Sequence, residues 1–241
     1  MNKSFFLLAL IWVLVVPAFG QSNSLEVNNL ERYKEELPYF QELITGGQYT
    51  NPPQNYEGYP YLLGKSFELG TLTINQIYYP EVLLLYDIRY DQLITLHPIF
   101  SQNLLIKPEK INGFSLSNLS SFQRLIGNES YLYNQNGFYE IIEEGKMNLI
   151  SKHYKTVVRS KELGDYFASY EEFEDFFFYD GSEFFPVTSK KKAIQLLDVP
   201  KKSVRENIIK RGIYFNRDKR EFLKSLVLLS NTTSSNLSND E

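Results

Sequence analysis

The apolar positions of this chain change their period along its length. Residues 25–44 carry Leu30, Tyr33, Leu37, Phe40 and Leu43 at spacings of three or four with charged residues between them, which predicts an amphipathic N-terminal helix that Pro38 bends or splits. From Gly64 to about Arg159, short β-branched and aromatic runs separated by turn residues predict strands. Residues 71–75 alternate, whereas residues 82–89 are apolar on nearly both parities, as in a strand covered on two faces. Tyr90-Asp91-Gln92 reads as a turn into a strand over 93–97. Residues 131–133 and 138–142 flank Asn134-Gln135-Asn136-Gly137, whose Asn-Gly pair signals a hairpin. Glu144-Gly145 then reverses the chain into a strand over 147–152. Connections this short join antiparallel neighbours, because parallel crossovers need a dozen or more residues.

Residues 166–185 hold ten aromatic rings mixed with six acids, and Asp180-Gly181 predicts one more hairpin inside them. After Pro186 the period becomes helical. Thr188 or Ser189 caps a helix over 190–197, Pro200 opens one over 201–211, and Gly212 ends it. Asn216 caps a third over 217–229, where Phe222, Leu223, Leu226 and Val227 form a stripe. The fold class expected is α+β: an antiparallel meander forming a curved sheet, with an N-terminal helix and C-terminal helices.

The first twenty residues have the texture of a signal peptide, with Lys3, an apolar run over 5–16 and small residues around Gly20. A dozen apolar residues span about 18 Å of helix, short of a hydrocarbon core of roughly 30 Å, so cleavage is favoured over anchoring. The organisation expected is a signal peptide (1–20), a helix and a Pro/Gly/Tyr-rich linker (21–62), an antiparallel β domain (63–188), a basic helical segment (189–230) and a disordered tail (231–241). The linker is read as a connector, ahead of a contact surface made by its Tyr residues. The processed chain is expected in the periplasm or at the cell surface and is not an integral membrane protein.

Composition narrows the chemistry. There are no Cys and two His among 241 residues, which excludes disulfides, thiolate catalysis and Cys-bound metals. His97 and His153 stand outside any chelating spacing, and His-Glu-x-x-His does not occur. Ser115, in Gly113-Phe114-Ser115-Leu116-Ser117, comes nearest to a nucleophile turn but lacks its second Gly. Phosphate-cradling glycine motifs do not occur. Glu143 and Glu144 read as a solvated hairpin tip. Glu171, Glu172, Glu174, Asp175, Asp180 and Glu183 are read as acids facing outward beside core-facing rings, ahead of a ligand site. Calcium loops place oxygens at alternate positions around a Gly, and this stretch does not. No catalytic, cofactor or metal residue is assigned, and no cofactor is expected.

Charge is the strongest asymmetry: residues 189–224 hold twelve Lys and Arg against four Asp and Glu. Such a segment is read first as a solvated helical face with internal charge pairing, ahead of one that docks on an acidic sheet or meets another envelope protein or an anionic membrane surface. Nucleic acid is not expected for an exported chain with a pI near 5.4.

The run from Gly137-Phe138-Tyr139-Glu140 to Ile150-Ser151-Lys152, with Leu84-Leu85-Tyr86-Asp87-Ile88 before it and Phe176 to Tyr179 and Ser189-Lys190-Lys191-Lys192 after it, resembles an uncharacterised, signal-peptide-bearing exported family of Bacteroidota. The resemblance spans roughly residues 64–230. It implies a location and a fold type and leaves the activity open. The function expected is that of a non-enzymatic binding or scaffold protein of the cell envelope. The alternatives are a periplasmic carrier of a small apolar ligand or lipid, and a carboxylate-based hydrolase.

Overall fold

The computed structural model describes residues 41–44, 46–118, 120–159 and 166–237. The signal peptide and most of the expected N-terminal helix therefore lie outside the described residues. Of that helix a single turn is described, α1 (Gln41–Ile44), with Leu43 buried. The remainder forms one compact unit beginning at Glu42.

Eleven strands make one mixed, mostly antiparallel sheet. They are β1 (Tyr56–Glu57), β2 (Glu68–Ile74), β3 (Ile77–Asp87), β4 (Gln92–Leu96), β5 (Asn103–Leu105), β6 (Ile111–Ser115), β7 (Ser121–Arg124), β8 (Phe138–Glu143), β9 (Asn148–Arg159), β10 (Ala168–Tyr179) and β11 (Phe184–Pro186). The α+β class and the antiparallel body are as expected, but the order is two meanders joined side by side. β2 to β5 form one and β6 to β10 the other, with β6 pairing back onto β2. Among the described residues the single parallel pair is β1 on the start of β10, while β11 pairs with its end.

Two sequence expectations are corrected here. Residues 131–133 are turns and not a strand, so Asn136-Gly137 closes no hairpin. β8 pairs instead with β7, through a loop in which the Leu125 amide donates to the Gly137 carbonyl at 2.8 Å. The pull on that loop is aromatic. Tyr131 packs edge-on against Phe177 at 5.1 Å, and Tyr133 stacks on Tyr154 at 3.7 Å, so both rings cover the sheet instead of extending it. Gly137 is needed there because its φ is +71° and a Cβ would fall against the Leu125 carbonyl. Gly137→Ala is expected to cost about 1–3 kcal/mol in thermal or urea unfolding.

The linker is the second correction. It is laced into the sheet by a Gln48–Leu104 bridge, by β1, and by a Tyr61–Asp87 bridge with the Leu62 amide donating to the Tyr86 carbonyl. A connector would leave these backbone groups to water; here they complete the ladder where β2 has not yet begun.

The sheet curls until β9 and β3, five places apart in it, share partners. Lys152 on β9 is 1% exposed and reaches the β3–β4 turn, donating to Asp91 Oδ2 at 2.6 Å and to the Phe138 carbonyl at 2.8 Å. Asp91 also accepts from the Tyr86 hydroxyl at 2.6 Å and the Asn136 amide at 2.9 Å. Inside the curl, Tyr86, Phe114, Phe122 and Phe138 pack with centroids 4.8 to 6.2 Å apart.

The helices are α2 (Lys190–Leu196), α3 (Lys201–Asn207) and α4 (Lys219–Leu237). Ser189 caps α2 by accepting from the Lys192 amide, and Gly212, at φ +83°, ends the 3-10 turn Ile209–Arg211 after α3. Phe222, Leu223, Leu226 and Val227 of α4 bury against Phe176 and Phe178 of β10 and Leu149 of β9, each aliphatic contributing about 1.5–3 kcal/mol. The opposite face carries Tyr139, Ile150 and Phe177. β10 thus uses both parities for rings, and its acids cannot all face outward. α4 starts at Lys219, past the expected Asn216 cap. It also continues through residues 231–237, where a disordered tail was expected, with Asn231 Nδ2 donating to the Glu144 carbonyl. Among the described residues no helix is long and apolar enough to cross a membrane.

Candidate functional site

Strand register brings together one cluster with the residue types of an active site. Glu140 lies opposite Ser151, and Glu174 opposite His153, in adjacent strands. The period of two puts Ser151 and His153 on one side of β9. The first turn of α4 then lays Arg220 across them. His153 Nε2 is 2.6 Å from Glu140 Oε2 and 3.7 Å from Glu174 Oε1. Arg220 donates to both Glu140 oxygens, at 2.5 and 3.0 Å, and to Glu174 Oε1 at 2.5 Å. Burial alone would push Glu140 up, but the hydrogen bonds from His153 and Arg220 overcome it and hold the carboxyl at about 2. Burial opposes the Arg220 charge, and its two carboxylates more than offset that. A surface cavity of about 680 Å³ opens beside the cluster, walled by Phe176, Asn118 and the start of α4.

The geometry decides what this cluster can do. In a nucleophilic triad the hydroxyl and the acid engage opposite nitrogens of the imidazole. Here Ser151 Oγ, at 3.3 Å, and Glu140 Oε2, at 2.6 Å, approach the same Nε2, and Ser151 has no exposed surface. Glu140, His153 and Glu174 also have three ligand atoms within 4.8 Å of one another, the spacing of a metal set. The Arg220 guanidinium already bridges both carboxylates, so a cation would have to displace a bidentate charge-assisted pair. The arrangement is an ion-pair clamp joining α4 to three strands.

The other candidate residues disperse. His97 closes the β4–β5 turn, its Nδ1 accepting from the Ile99 and Phe100 amides, while His153 belongs to the clamp. Ser115 bonds Thr71 across β6 and β2 at 2.7 Å. Glu172 pairs with Lys155 at 3.2 Å, Asp175 accepts from Tyr131 at 2.6 Å, and Asp180 caps the β10–β11 turn through the Ser182 and Glu183 amides. Glu143 lies 3.8 Å from Lys224. The convergence of Glu140, His153 and Glu174 is not visible in the sequence, because none of them stands in a motif; only the alternating parity of neighbouring strands hints at it.

The basic segment divides in two. Arg217, Arg220 and Lys224, at and beside α4, pair with Asp218, Glu140, Glu174 and Glu143. Lys191, Lys201, Lys202, Arg205 and Lys210, on α2, α3 and the turn after it, are exposed and make no ion pair among the described residues. Between α2 and α3 lies a groove of about 680 Å³ whose apolar floor is Ile194, Val199, Val204 and Ile209, with Lys190, Lys191 and Lys201 and a single acid, Asp198, on its rim.

Fold and site define a class: an α+β protein in which a curled, mainly antiparallel sheet carries a C-terminal helical layer and an ion-pair clamp between them. No protein-family model, no curated protein and no solved structure matches the chain.

Proposed function

We propose that this chain is a non-enzymatic binding protein exported to the cell envelope, and that it docks an acidic partner protein in the groove between α2 and α3. The observation that carries the reading is the division of the basic segment. Arg220 and Lys224 beside the sheet are paired with its acids, while Lys191 and Lys201 at the groove are exposed and make no ion pair among the described residues. An apolar floor with a rim of three lysines against one aspartate is complementary to a segment bearing an apolar stripe between acidic residues. A concave groove suits inserted side chains better than a flat lipid surface. The carrier alternative loses support because the interior of the curl is filled by stacked rings, and the hydrolase because the Glu140–Glu174 cluster is already bridged by Arg220. Export rests on the apolar run over residues 5–16 and the small residues after it.

The test is binding of a fluorescent amphipathic peptide of Leu and Glu at helical spacing. The purified protein should bind it with a strong salt dependence, and Lys191→Glu with Lys201→Glu should weaken binding at least tenfold. Binding that ignores salt and both reversals sinks the proposal. So does equal or tighter association with anionic phospholipid vesicles, which would move the partner to a membrane.

A further inference from the structure

A third cavity, of about 560 Å³, lies far along the chain from the basic groove, where the 48–56 segment crosses the β3–β4 turn. Its walls are tyrosines. Tyr56 and Tyr170 pack at 5.7 Å and 58°, Tyr90 is 52% exposed, and Tyr49 closes the floor by donating to the buried Asp87 at 2.6 Å. Asp87 is in turn fixed by the Arg89 and Tyr90 amides, which sets the turn that aims Arg89 into the cavity. Gln48, Asn51 and Gln92 add side-chain amides to the lining, beside the apolar Pro52, Leu105 and Val157.

Arg89 is the unusual member. A guanidinium carries five donors and is charged at any working pH. Here Nη1 makes one long bond, 3.3 Å, to the Lys155 carbonyl, and the buried Nε has no hydrogen-bond partner. No carboxylate lies within ion-pairing distance of it among the described residues, although Arg220, Lys152 and Lys155 each have one. The nearby Asp87 carboxylate points its oxygens at Tyr49 and two backbone amides instead. The enclosed Nε is sealed from solvent, so the donors that an acceptor from outside can reach are those of the terminal nitrogens, of which only Nη1 makes a bond within the protein.

We infer that this tyrosine-walled cavity is a binding site for a cyclic carboxylate carrying hydroxyl groups, a sugar acid in chemical class, with Arg89 as the carboxylate anchor. Tyrosine faces pack on the C–H face of such a ring, and primary amides both donate to and accept from its hydroxyls. The Arg fork matches a carboxylate in two parallel bonds, which a neutral sugar cannot supply. The volume falls within the range of small-ligand sites. The site shares no lining residue with the α2–α3 groove, so either can fail alone.

The experiment is calorimetric titration of the purified protein with tetragalacturonate, its neutral galactose counterpart and 4-hydroxybenzoate. Tetragalacturonate should bind, with affinity reduced at least tenfold by Arg89→Gln and by Tyr90→Ala. Arg89→Lys should lie between the wild type and Arg89→Gln, because charge survives and the fork is lost. Tyr90→Ala guards against a folding artefact, since that ring is half exposed. Equal binding of the neutral tetrasaccharide overturns the role of Arg89, and preferential binding of 4-hydroxybenzoate overturns the sugar class. No binding of tetragalacturonate, or binding that both variants leave intact, overturns the site.

Discussion

Lys152→Ala is expected to destabilise the protein by about 3–5 kcal/mol in urea unfolding, the cost of stranding one partner of a buried ion pair. Asp91 is 3% exposed and would be left inside the curl without its cation. The Tyr86 hydroxyl and the Asn136 amide would remain its partners, with no cation nearby. Burial already pulls the Lys152 ammonium below its ordinary range, and Asp91 offsets part of that pull. Removing both charges together, as Lys152→Met with Asp91→Asn, should cost less than Lys152→Ala alone, because no unpaired charge is left. A double variant as unstable as the two single losses added together would show that Lys152 and Asp91 act independently, with neither a pair energy nor a stranded-charge penalty between them. The pair also joins the second meander to the first. Loss of protection in hydrogen exchange should therefore reach the β3–β4 turn as well as β9.

Acid should unfold the clamp before it unfolds the aromatic core. The folded Glu140 carboxyl sits at about 2, below its ordinary value of 4.5. A depressed carboxylate contributes stability that is present above the ordinary value and is lost as pH falls through the folded one. The window is therefore about pH 4.5 down to 2, and the contribution is on the order of 2–3 kcal/mol for a residue 5% exposed. Arg220→Ala should remove much of it and leave Glu140 facing Glu174 with only His153 between. Stability at pH 7 should fall by about 2–3 kcal/mol, and the loss on acidification to pH 3 should shrink. If the variant and the wild type lost equal stability between pH 7 and pH 3, the ion pair would not be what holds Glu140 down.

Both devices lie at the limit of what the sequence can convey. Strand positions were legible where local chemistry decides: the alternation over 71–75, the Glu144-Gly145 reversal, the Asp180-Gly181 hairpin and the Ser189 cap all reappear as expected. Asn136-Gly137 misled because its turn preference is weaker than the burial of Tyr131 and Tyr133, which hold the loop across the sheet. The 46–61 segment misled for a related reason. Pro and Gly mark irregular backbone, yet irregular backbone can still fill vacant ladder positions when a curled sheet comes around to meet it.

Local sequence, then, determined the α+β class, the short antiparallel connections, the helical period after Pro186 and the absence of thiol chemistry, because each depends on neighbours within a few positions. Tertiary structure alone decided that Lys152 faces Asp91, that Glu140, His153 and Glu174 meet under Arg220, and that Arg89 stands without an acid at the base of a tyrosine cavity. Those pairings span tens of residues and depend on how far the sheet curls. Curl is a sum of many small twists that no single position encodes.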